Sequence, residues 1–241
     1  MNTQITLNPT LILIISFIYF ALSIYFYRSN LFLLHVIRFI PVLFHEFGHA
    51  FACQLTGGKV HDIVIVASRK EQYQTNRSGY AITATKPGMN TYITLISGYL
   101  MPPVILFIAI LCLKYNVVIL FSIILLLICI YYFVKTSRKV LPLMMLILFI
   151  GTSYCITTYY PMIGLDLVSY LYHFIIAILF TDLIITLRTI ILVYFQGNTD
   201  WDGAQLSKAT RIPAILYLLF FVGIHIAAIY YTSKYLIDLI M

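Results

Sequence analysis

The chain has 241 residues, of which 62% are hydrophobic and only 10% charged, against about a quarter charged in water-soluble domains. Together with a mean hydropathy of +0.98, this excludes a soluble globular protein and defines an integral membrane protein with no soluble stretch long enough to bury its own core. The net charge of +7 sits in short loops between apolar blocks, without interleaved aromatics, which speaks for membrane topology and against nucleic acid as a partner.

Residues 9–27 form an apolar run of nineteen residues, about the length that crosses a bilayer. A cleaved signal peptide ending near Ala21-Leu22-Ser23 is the rival reading, but no Lys or Arg precedes Pro9 and the run is long for one. Arg28-Ser29-Asn30 then turns the chain into a second apolar helix, 31–56, closed by Gly57-Gly58, a pair suited to the left-handed backbone of a helix C-terminus.

Near the middle of that helix stands His45-Glu46-Phe47-Gly48-His49. Positions i and i+4 differ by only about 40° around a helix, so both imidazoles leave from one face and can grip one metal ion. Glu46, next to the first of them, is placed to take a proton from a water attacking a carbonyl and to pass it to the leaving amine. The chain has two glutamates and six histidines, so HExxH would arise in roughly one shuffled chain in a thousand. Ionisable residues inside a membrane are costly, and function is their default explanation.

The period then changes. Residues 60–67 and 79–85 are rich in β-branched residues and are separated by a polar loop, which predicts a hairpin within 60–86. Ile63, Val64 and Ile65 are apolar on both faces, so this strand is expected to be buried or dipped into the membrane edge. They are also the candidates for pairing with an extended substrate by strand addition.

Further apolar spans follow at 92–113, 117–134, 140–160, 166–195 and 212–236, which makes about seven transmembrane helices in a single all-α membrane domain over 1–241. Cys53, Cys112, Cys129 and Cys155 lie inside apolar blocks without CxxC spacing and read as packing residues. Lys59, Arg69, Lys70, Arg77, Lys86, Lys135, Arg138, Lys139, Lys208 and Arg211 gather on one side of this arrangement, against Arg28, Lys114 and Lys234 on the other. The positive-inside rule then places the N-terminus, the hairpin and the 196–211 loop in the cytoplasm of a bacterial cell.

A catalytic zinc takes three protein ligands and keeps one position open. Depth along the helices favours Asp182, near the centre of 166–195, as the third ligand beside His45 and His49. Asp202 is the alternative, and requires the 196–211 loop to fold back into the membrane where protein satisfies its backbone.

HEFGHA followed by Thr56-Gly57-Gly58, then Gly98-Tyr99-Leu100, Asp182-Leu183, and Asp202, Gly203, Leu206, Thr210 and Pro213 in this order resemble the site-2 protease family of intramembrane zinc metalloproteases, in its compact bacterial and plant branch. The family's Asn, Pro and Leu-Asp-Gly motif has no clean match: Asp182 is followed by Leu183, and Trp201-Asp202-Gly203 sits in a polar loop. The resemblance implies one Zn2+ per chain and cleavage of a peptide bond within or at the edge of the bilayer, in a transmembrane or signal-peptide-like substrate. A metal-binding membrane transporter and a catalytically silent relative acting by binding alone are the competing readings. Oligomeric state is not encoded in any motif.

Overall fold

The structure is a computed structural model and describes residues 8–25, 32–66, 71, 72, 74, 78–158 and 161–238. The Arg28-Ser29-Asn30 turn and most of the polar hairpin loop lie outside them. In chain order the elements are α1 (Pro9–Tyr25), α2 (Phe32–Leu55), β1 (Lys59–Ile65), β2 (Gly79–Ala84), α3 (Met89–Lys114), α4 (Val118–Lys135), α5 (Val140–Thr158), α6 (Pro161–Phe195), α7 (Asp202–Thr210) and α8 (Ala214–Asp238). Among the described residues four helices, α3, α4, α8 and the Val168–Phe195 part of α6, are long and apolar enough to cross a membrane, and α1 and part of α5 are shorter apolar helices.

Local chemistry starts and stops these helices. Asn8 caps α1, its Oδ1 accepting from the Leu11 amide at 3.2 Å, with Pro9 at the first helical position, where a missing N–H does no harm. At the other end of α2, Gly57 takes φ 76°. The Gly58 amide then reaches back to the Cys53 carbonyl at 2.8 Å and the Gly57 amide to Gln54 at 3.1 Å, a Schellman closure that turns the chain straight into β1. Pro41 lies inside α2, and α3 continues through Pro102 and Pro103.

The strands pair antiparallel, Lys59 with Ala84 through Ile65 with Gly79, and the register slips between Val60 and Asp62. His61 is the extra residue of this bulge, and the slip turns Val60 and Ile63 both inward, at 7% and 0% exposure. The hairpin packs on α2, and α4 packs on β1.

In lipid there is little hydrophobic drive between helices, so close packing and internal hydrogen bonds have to hold them together. Helix α2 lies chiefly against α3, and α6 against α1, α8 and α3. The Gly48 face of α2 lets this happen: a Cβ there would collide with the Ser97 carbonyl and stand 2.9 Å from Met101 Cβ. Buried hydroxyls tie the layers, with Tyr172 donating to the Ala109 carbonyl at 2.7 Å, Ser16 to Ala177 at 3.3 Å and Thr181 to Ser16 at 3.3 Å.

Candidate metal centre

The HExxH turn of α2 is held from two sides. On the α3 side, Asn90 donates to the Thr56 carbonyl at 2.8 Å, fixing the start of α3 to the end of α2. One turn further along, the Thr94 carbonyl lies 2.7 Å from His49 Nδ1. A carbonyl can only accept, so His49 Nδ1 carries the proton and Nε2 keeps its lone pair, the tautomer a metal ligand needs. Gly98 follows on the same face of α3. A Cβ at Gly98 would collide with the His49 ring and stand 2.9 Å from His45 Cε1, so only glycine lets α3 pass this close to both imidazoles.

The other side is the short helix α7. After α6 the chain reverses at Gly197, whose φ is 68°, and Trp201 is buried among Tyr194 and Phe221 with ring centroids 6.4 Å from each. Gly203 makes room for that indole. Tyr92 of α3 donates to the Ala209 carbonyl at 3.2 Å, and Thr210 shares a 2.8 Å hydrogen bond with Tyr217 of α8. Anchored in this way, α7 starts with Asp202 directed at the imidazoles.

His45 Nε2 and His49 Nε2 are 3.2 Å apart, and Asp202 Oδ2 lies 3.4 Å from the first and 3.3 Å from the second. Asp202 Oδ2 is buried and has no hydrogen-bond partner. Among the described residues, these three form the one group of His, Cys, Asp and Glu able to hold a metal ion. Asp182, the residue favoured from depth along the helices, is not in it; its Oδ2 accepts from Thr186 at 3.2 Å on its own helix. The depth argument treats 196–211 as a water-facing loop, whereas Trp201 and α7 turn it back onto α3 and α8.

Glu46 is buried at 6% exposure and lies under the hairpin: a Cβ at Gly79, the first residue of β2, would stand 3.1 Å from Glu46 Cγ and from Oε1. Ile63, Val64 and Ile65 are 0%, 2% and 3% exposed, so their side chains fill the core and have no surface for a substrate. Their backbone pairs with Ala81, Tyr80 and Gly79, and α4 packs against this strand. Among the described residues the sheet has two strands, and the more exposed one, β2, is also the one that starts beside Glu46.

Apolar helices thus surround a half-buried His-His-Asp cluster, with a carboxylate beside it and a hairpin laid over that carboxylate, in a chain built as a multi-pass membrane protein. The sequence pattern of the Peptidase M50B-like family matches residues 10–232, nearly the whole chain, and the protein belongs to that family, within the site-2 proteases. No curated protein and no solved structure matches the chain. Thr94 and Gly79 carry no motif of their own; HExxH implies only that some group must orient each imidazole and some backbone must cover the glutamate.

Proposed function

We propose that the chain is an intramembrane zinc metalloprotease, hydrolysing a peptide bond within or at the edge of the bilayer in a transmembrane or signal-peptide-like substrate. The observation that carries this is the trio of donor atoms, 3.2, 3.3 and 3.4 Å apart. Ligands bound tetrahedrally at about 2.0–2.1 Å from zinc stand about 3.3 Å from one another. Three ligands with a neighbouring carboxylate match a catalytic site with an open position, where a structural site would be closed by four. The orphaned Asp202 Oδ2 and the Nδ1-protonated His49 suit a cation in the same way.

His45, His49 and Asp202 would hold the metal, with Asp182 left as a half-buried partner of Thr186. Zinc at such a site supplies Lewis acidity, polarising a carbonyl oxygen and lowering the pKa of a water towards about 7. Glu46 takes the proton of the attacking water and delivers it to the departing amine nitrogen. Thr94 holds the His49 tautomer throughout. A substrate helix hides its carbonyls in its own hydrogen bonds and must unwind locally; the free edge of β2 can pair with the extended segment and lead it to Glu46. The whole chain works as one membrane domain, with hairpin and α7 on the cytoplasmic side.

The test is zinc content together with cleavage of a model transmembrane peptide, on purified protein in lipid. We expect one zinc per chain in the parent, in Glu46→Gln and in Asp182→Asn, and loss of zinc in Asp202→Asn. Glu46→Gln should lower kcat by roughly 10²–10⁴-fold. A folded parent that binds no metal overturns the reading, and zinc lost from Asp182→Asn but kept in Asp202→Asn would exchange the two aspartates.

A further inference from the structure

Hydrolysis of an amide builds negative charge on the carbonyl oxygen when the water oxygen bonds to the carbonyl carbon and the C=O π pair moves onto oxygen. A donor already aimed at that oxygen strengthens as the charge grows and is often the largest single contribution to catalysis. The three metal-binding side chains and Glu46 are spent on the cation and the proton, so a further donor has to come from elsewhere in the site.

The neighbouring polar groups are mostly committed. Ser97 Oγ donates to the Ile93 carbonyl at 2.6 Å, and Thr94 Oγ1 to Asn90 at 2.9 Å. His225, buried at 1% exposure, uses Nδ1 on the Phe221 carbonyl at 2.8 Å; its neutral ring therefore keeps only a lone pair at Nε2 and cannot donate from it. Tyr99 differs. It follows Gly98 on α3, its ring meets the His45 ring edge-on with centroids 4.8 Å apart at 75°, and no hydrogen bond engages its hydroxyl among the described residues. That His45 ring is the one whose Nε2 stands 3.4 Å from Asp202 Oδ2, so the Tyr99 ring borders the candidate metal centre directly. Phe221, 4.8 Å from the Tyr99 ring, and His225, 6.3 Å away, hold that ring from α8.

We propose that Tyr99 is a further catalytic residue, its O–H donating a hydrogen bond to the scissile carbonyl oxygen as the tetrahedral intermediate forms. This rests on the protease reading above. No proton leaves Tyr99: the phenol only donates its hydrogen bond and stays protonated. The oxygen's electron pair re-forms C=O when the C–N bond breaks, and Glu46 protonates the amine. The unspent hydroxyl is what an apo site looks like when its acceptor arrives only with the substrate.

The test is Tyr99→Phe, which removes one oxygen and keeps the ring packing on His45 and Phe221, in full-length protein in nanodiscs beside the parent and Glu46→Gln. Zinc content, thermal midpoint, kcat and KM on a quenched model transmembrane peptide, and the affinity of a phosphinate analogue of that peptide are measured together. We expect zinc and midpoint at parent values, KM unchanged, kcat reduced about 100-fold, and phosphinate affinity reduced tenfold or more. Two outcomes overturn the role: kcat and phosphinate affinity within twofold of the parent, or zinc lost from Tyr99→Phe, which makes the hydroxyl a support for the ligands. Activity retained by Glu46→Gln, or a parent without zinc and without cleavage, fails one level earlier and removes the protease reading and this role together.

Discussion

Gly98 and Gly79 shape the site by what they lack. A methyl group at Gly98 would be driven into the His49 ring and against His45 Cε1, so Gly98→Ala should weaken zinc binding by roughly 10–100-fold, measured by competition with a chelator. Gly79→Ala would instead press on Glu46 Oε1 and on Val42 Cγ1, 2.8 Å from the added carbon; zinc should stay and kcat fall by about tenfold, since one displaced base suffices for that. His45, Glu46 and His49 were legible in the sequence because their relation is set by one helical turn. Thr94, Gly98 and Tyr99 reach the same point from another helix, and no spacing within α2 encodes that. Asp182 shows the limit from the other direction: depth along α6 is readable, but azimuth is not, because a helix apolar on every side has no face that declares its direction.

The hairpin was foreseeable as an element from its β-branched runs, and its buried strand from Ile63-Val64-Ile65-Val66. Its fastening was not. Asp62 accepts from the Ser137 amide at 2.7 Å and from Ser137 Oγ at 2.6 Å, while Arg138 grips both oxygens of Glu71, one at 2.8 Å from Nη1. Two consecutive residues of the α4–α5 turn thus pin the strand and the segment after it, and the bulge at His61 orients Asp62 for that contact. Asp62→Asn or Ser137→Ala should speed exchange of the β1 amides about tenfold, read by hydrogen–deuterium exchange. Hydrogen bonds from Arg138 hold the Glu71 carboxyl below its ordinary value of 4.5. A carboxyl depressed in the folded state contributes fully above the unfolded value and stops contributing as pH falls through the folded one. Protection of the hairpin in the parent should therefore decline below about pH 4.5, and Glu71→Gln should lack that component of the decline.

At the scale of the whole molecule, the helices were readable from length and apolarity, while their neighbours were not, since Leu and Ile face lipid and protein alike. Seven crossings, the number read from the apolar spans of the sequence, would put the two ends of the chain on opposite sides of the membrane; on that reading reporter fusions at each terminus should label from opposite faces, the N-terminal one from the cytoplasm. Binding of metal to the folded state alone raises stability by mass action, so a chelator should lower the thermal midpoint of the parent and leave that of Asp202→Asn unmoved.

The turn at Gly197 and Trp201 that carries Asp202 to the imidazoles also sets a clock. His45, Glu46 and His49 leave the ribosome before α6, but Asp202, the carboxylate proposed to complete their site, comes only after it. A nascent chain that has reached only α6 holds a glutamate and two imidazoles without the Asp202 oxygen. On the proposed reading, completion waits for α7 to dock on α3 and α8, so such a protease would spend its own insertion, when its segments most resemble unfolded membrane substrates, without a finished blade.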